Sequence, residues 1–302
     1  MITNSGSFRL FRFAGIDVFV HWSWFVVAAY DLNFRGNQYS SLAWNVAEYV
    51  SLFAIVLLHE FGHALACRQV GGQANKIVLW PLGGVAFVSP PQRPGATLWA
   101  IAAGPLVNVV LAPVAFLLAV AGQGLGVGET VPNAQRFLWT LVYINTGLLV
   151  FNLLPIYPLD GGQILRSLLW FIFGRARSLT IASTIGFFGA AGLIAVAVTM
   201  RSPWMGLLAF FMLMTCWKSW RHAGVLSRME AMPRRAEFAC PVCRTAPPIG
   251  AFWVCQVCRT PLDSFAGGGT CPRCQTHFNV TACPNCGAAR PMTEWIHPPP
   301  VQ

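Results

Sequence analysis

Long apolar blocks, each about the length of a membrane-crossing helix, constrain this 302-residue chain more than any other feature. A crossing helix needs roughly 20 mostly apolar residues, and several blocks meet that length. Composition points the same way. Only 10% of the residues are charged, where a soluble domain carries about 25%. The first block is too long for a cleavable signal and lacks a small-residue cleavage site. The expected fold is an all-α polytopic membrane protein with about six transmembrane helices.

The spans are expected over residues 16–32, 44–67, 97–121, 137–154, 179–199 and 203–220. Residues 161–177 read as a short interfacial helix. Residues 75–88 (NKIVLWPLGGVAFV) are β-branched and broken by Pro81, Gly83 and Gly84. They are expected to form a membrane-dipping β-hairpin with the two glycines at its turn. A basic linker follows at 221–239, a Cys-rich segment at 240–290 and a disordered tail at 291–302. The membrane portion is then 1–220.

Net charge is +10. In a soluble protein that would suggest an acidic partner, but Lys and Arg also mark cytoplasmic loops. With six spans, the N-terminal side holds Arg9, Arg12, Arg68, Lys76, Arg93, Arg166, Arg175, Arg177, Lys218 and Arg221, against Arg35, Arg136 and Arg201 opposite. Both termini are therefore expected in the cytoplasm, in a multi-pass protein of a prokaryotic cell membrane.

His59-Glu60-Phe61-Gly62-His63 interrupts an apolar run. On a helix, His59 and His63 share a face and can reach one metal ion. Glu60 can then serve as general base toward a metal-activated water. Ionisable groups inside a span are costly, so chemistry is favoured over packing. A catalytic zinc takes three protein ligands, and the strongest third candidate is Asp160. It lies in a segment broken by Pro155, Pro158, Gly161 and Gly162. Locally, a helix N-cap is an equally good reading of Asp160. His21, Cys67 and Cys216 read as packing residues.

HEFGH, GPLVN at 104–108 and NLLPIYPLDGG at 152–162, in that order, resemble the site-2 protease family. GIDVFVHWSW and PLGGVAF resemble that family's first span and membrane-dipping hairpin. The resemblance covers roughly residues 15–220. It implies an intramembrane zinc metalloendopeptidase acting on membrane-protein substrates within the lipid bilayer. His59, His63 and Asp160 would bind the catalytic zinc and Glu60 would be the base. Asn152 would hold the substrate backbone or oxyanion, and Asn108 would line the site. An unwound substrate would add as a strand near Ile77–Val88, with Gly83 and Gly84 allowing close approach.

Eight of ten cysteines form four CxxC pairs: Cys240/Cys243, Cys255/Cys258, Cys271/Cys274 and Cys283/Cys286. Taken in order, the first two pairs make one four-thiolate zinc ribbon and the last two a second, a small β module with two structural zinc ions. So short a segment folds largely on its metals. Its basic and aromatic residues do not make a nucleic-acid surface, so a protein partner is the expected ligand. Two rivals to the protease remain. One is a non-proteolytic adaptor that recruits partners through its ribbons. The other is a metal transporter, for which the expected inverted repeat is not found.

Overall fold

A computed structural model describes residues 6–34, 39–80 and 83–295. The chain divides into two compact units, Met1–Arg221 and His222–Gln302.

The first unit begins with strands β1 (Ser7–Phe13) and β2 (Ile16–His21), then helices α1 (Ser23–Phe34) and α2 (Leu42–Gln69). A hairpin of β3 (Gln73–Trp80) and β4 (Gly83–Ser89) follows, then α3 (Pro94–Gly124), the single turn α4 (Val127–Thr130), α5 (Pro132–Leu153), α6 (Asp160–Thr199) and α7 (Pro203–Glu230). Among the described residues, α2, α3, α5 and α6 are long and apolar enough to cross a membrane. The molecule is thus mostly helical, with a small strand-containing region.

That region departs from expectation at residues 16–32. Ile16, Val18 and Val20 are buried while Asp17 and Phe19 between them are not. This is the period of two of a strand, formed by β-branched residues with one face covered. The helix starts only at Ser23, and its 12 residues rise about 18 Å. β2 pairs in parallel with β3, the two joined through α1 and α2. β1 and β4 flank them antiparallel, giving the order β1-β2-β3-β4. The expected hairpin is therefore part of a four-stranded sheet, with β4 at one edge.

The glycines also sit differently. Pro81 and Leu82 lie outside the described residues, while Gly83 pairs with Trp80 and Gly84 with Leu79. They open β4 rather than forming the turn. The sheet's inner face packs on α2, burying Ile16, Val18, Ile77 and Leu79 against Phe61, Ala64 and Cys67. On another side α2 meets α3 closely: a Cβ on Gly62 would lie 2.6 Å from the Ala103 carbonyl oxygen.

Residues 161–199 keep both expected helical pieces. They form one run broken at Gly174, whose φ of 79° and ψ of 175° leave the helical region. Glycine accepts that conformation without steric cost.

In the second unit, β5 (Trp253–Val254) pairs with β6 (Pro261–Leu262), and β7 (Val280–Ala282) with β8 (Ala289–Pro291). Residues 291–295 were expected in a disordered tail, but they are ordered. Pro291 pairs with Val280, and Trp295, 1% exposed, packs with Phe265 in a small core. A segment that can bury an indole recovers enough apolar contact to offset its ordering. The rest of that tail, 296–302, lies outside the described residues.

Candidate metal centres

α2 carries His59, Glu60 and His63 inward, each 6% exposed. Four-residue spacing puts the two imidazoles on one face, edge to face, with Nε2 atoms 3.1 Å apart. Asp160 comes from a hundred residues away. Leu159 is the N-cap of α6 and Asp160 the first helical residue, making no cap bond. The capping reading therefore gives way. The Asp160 Oδ2 lies 3.0 Å from His59 Nε2 and 3.3 Å from His63 Nε2. Gly161 and Gly162 make the approach possible. A Cβ on either would overlap the backbone of Leu153 and Leu154 or of Ile156 and Tyr157.

Hydrogen bonds behind the rings place a proton on each Nδ1. His63 Nδ1 donates to the Ala100 carbonyl at 2.9 Å, and His59 Nδ1 to Asn108 Oδ1 at 2.6 Å. Both Nε2 atoms then present lone pairs, as does the carboxylate oxygen. In the neutral rings three acceptor atoms converge at 3.0–3.3 Å, an arrangement suited to a cation. Zinc fits the set: tetrahedral bonds near 2.0 Å separate the ligand atoms by about 3.3 Å.

Two of the remaining expected site residues, Asn108 and Gly84, touch His59 and Glu60 directly. Asn108 is fully buried and meets the site through His59. Its Oδ1 holds His59 and its Nδ2 donates to Asn145 Oδ1 at 2.8 Å, while Asn145 Nδ2 returns a bond to the Asn108 carbonyl at 2.9 Å. Such partners orient a metal-binding imidazole. Gly84 lies against Glu60: a Cβ there would overlap the Glu60 Cγ, Cδ and Oε1. The space it leaves is filled by that side chain. The Ala86 amide donates to Glu60 Oε2 at 2.8 Å. Gly83 starts β4, and Asn152 lies partly exposed in the last turn of α5, outside this network.

Asn145 and Gly104 were missed from sequence. Asn145 carried a readable signal, a polar amide inside an apolar helix. Gly104 opens the GPLVN motif, but nothing in the motif itself tells a glycine that clears the histidines from one that packs helices. A Cβ on it would overlap His63 Nε2 and come within 2.8 Å of His59 Nε2.

The cysteines form two quartets, but not in sequence order. Cys240 and Cys243 meet Cys283 and Cys286, while Cys255 and Cys258 meet Cys271 and Cys274. One ribbon is nested inside the other, correcting the sequential pairing. The reason is topological. β5–β6 close the knuckle of Cys255 and Cys258, β7–β8 that of Cys283 and Cys286, and a small core of Phe265 and Trp295 packs with Cys240 and Cys283. Sulfur–sulfur distances of 3.6–3.8 Å exceed a disulfide bond. They match the roughly 3.8 Å edges of a tetrahedron with 2.3 Å zinc–sulfur bonds.

Comparison with known proteins places these centres in context. The model of Peptidase family M50 matches residues 47–135 and 130–196, which include His59, His63 and Asp160 and end before Cys240. A zinc metalloprotease of Methanocaldococcus jannaschii is 35% identical over 182 residues, 60% of this chain and 50% of that protein. Stage IV sporulation protein FB of Bacillus subtilis is 33% identical over 140 residues, 45% of this chain and 46% of that one. The chain spans about half the length of these curated relatives. The solved site-2 protease from Methanocaldococcus jannaschii aligns with a TM-score of 0.53 and 27% identity, over 71% of this chain and 95% of that one.

Proposed function

The chain belongs, through its membrane portion, to peptidase family M50, and from that premise we propose that it hydrolyses peptide bonds in or near transmembrane segments of other membrane proteins. The observation that carries the reading is the convergence of two imidazoles and a carboxylate beside a glutamate, on helices long and apolar enough to cross a bilayer.

His59, His63 and Asp160 would hold zinc, and the two Nδ1 bonds favour in both imidazoles the tautomer that binding needs. Zinc held there would lower the pKa of a water to about 7 and polarise a carbonyl. Glu60 takes the proton of the attacking water and returns it to the leaving nitrogen. Asn152 steadies the developing oxyanion or the substrate backbone. An intact helix has no free backbone groups, so the substrate unwinds and pairs as a strand with the open edge of β4. Each cysteine quartet holds a structural zinc, giving three ions per chain.

Six crossings, with α1 and α7 added to the four apolar helices, put both ends in the cytoplasm. The bias of ten cationic residues against three supports this,. α1 is short for the task, and local thinning accommodates such helices. A reducing cytoplasm also suits a thiolate tail, whose ligand we take to be a protein.

Glu60→Gln separates this reading from a membrane adaptor. The variant should keep its zinc and lose cleavage of a membrane substrate by several orders of magnitude. Cleavage at the wild-type rate would sink the mechanism, and an adaptor role would leave partner recruitment unchanged. Comparing membrane proteomes of cells carrying wild type and Glu60→Gln identifies substrates as proteins that accumulate uncut.

A further inference from the structure

Glu60 is held by backbone as well as by its own helix. Its carboxylate accepts the Ala86 N–H at 2.8 Å. Ala86 stands opposite Ile77 in the β3–β4 pairing. Because its N–H reaches Glu60, that group points away from β3, toward the edge on which, among the described residues, no further strand pairs. Two residues earlier, and so on the same side of the pleat, Gly84 leaves the space that the Glu60 Cγ, Cδ and Oε1 occupy. The side chain is 6% exposed, so it has little room to move aside.

We propose that the open edge of β4 is the seat of the base: the Ala86 amide orients the Glu60 carboxylate, and Gly84 is bare to admit it. Gly84 and the Ala86 amide are then positioning groups, and this rests on the reading of Glu60 as general base. A charge-assisted bond from a rigid strand amide fixes one carboxylate oxygen and with it the direction of the other. The strand that aligns the base is also the one offered to the substrate. Substrate register and base position are therefore set by a single element.

The test uses the full chain in detergent, with dye-labelled unfolded casein as probe, and records kcat, KM and bound zinc. Gly84→Ala inserts the methyl that Glu60 excludes. Ala86→Pro removes the N–H at an edge position where proline is tolerated. Ala86→Ser keeps it. Displacing a catalytic group by about 1 Å costs on the order of a hundredfold. Gly84→Ala and Ala86→Pro should therefore lose about that much kcat with KM and zinc content unchanged, while Ala86→Ser stays near wild type. Wild-type kcat in Gly84→Ala overturns the proposal, as does a loss of zinc or a rise in KM that accounts for the defect. If Ala86→Pro does not accumulate as folded protein, Gly84→Ala and Ala86→Ser decide. Glu60→Gln keeps the two failures apart. A cleaving Glu60→Gln refutes the base itself. An inert Glu60→Gln beside a fully active Gly84→Ala refutes only the seat.

Discussion

Gly104 faces His59 and His63 from α3, and any side chain there would enter the space between their Nε2 atoms. On the proposed reading of three zinc ions, Gly104→Ala should cost the one at His59 and His63 and spare the two in the tail. Metal analysis of the purified variant should read two ions where the wild type reads three. Asn145 acts at one remove, by holding the Asn108 amide that holds His59. Losing such a partner typically weakens metal affinity about ten- to a hundredfold. Asn145→Leu should show that loss in competition with a chelator, and at this one site. The histidine pair was legible in HEFGH because helical spacing alone puts both rings on one face. Asp160 was only half legible: its local sequence fits an N-cap as well as a ligand, and distance in the fold chose between them.

The zinc knuckles make a common demand at the element scale. Each folds the residue after its second cysteine back, so that its N–H meets the first cysteine's carbonyl at 2.8–3.0 Å. That residue has positive φ in all four: Arg244, Arg259, Gln275 and Gly287. Glycine accepts this conformation freely, while other residues give up roughly 1–2 kcal/mol. Arg244→Gly should stabilise the tail by about 1 kcal/mol, and Gly287→Ala should destabilise it by a similar amount. The chelator concentration that half-unloads the tail measures both. Asp263 braces the same unit. Its carboxylate pairs with Arg235 at 2.8 Å and accepts the amides of Gly250, Phe265 and Ala266. Burial pushes its pKa up, but Arg235 and those amides outweigh this and hold it below the ordinary value. A lowered folded-state pKa contributes stability that is complete above the ordinary carboxylate range and fades as pH falls through the lowered value. Asp263→Asn should therefore weaken zinc retention at neutral pH, and the gap from wild type should close in acid. A gap that persists in acid would assign the defect to packing. Among the elements, β2 escaped the sequence reading because IDVFVH runs directly into WSWFVVAA. Total hydrophobicity hid a change of period from 2 to 3.6.

At the scale of the whole molecule, the nested cysteine pairing has consequences that sequential ribbons do not share. In a chain carrying both Cys283→Ser and Cys286→Ser, Cys240 and Cys243 should become open to alkylation. Cys271 and Cys274 should stay protected by their zinc with Cys255 and Cys258. Mass-spectrometric mapping of the modified thiols distinguishes this from the sequential arrangement, in which Cys271 and Cys274 would be released instead. The amino-acid order alone determined a membrane solvent, a metal-ready helix and a thiolate tail. Each follows from composition or from spacing within a single element, where geometry is local. Tertiary structure alone decided that β4 lies beside the glutamate, that Asn145 backs His59 through Asn108, and which cysteine pairs share a metal. Those are contacts between residues tens of positions apart, and chain closure sets them through packing and sheet topology that no local window contains.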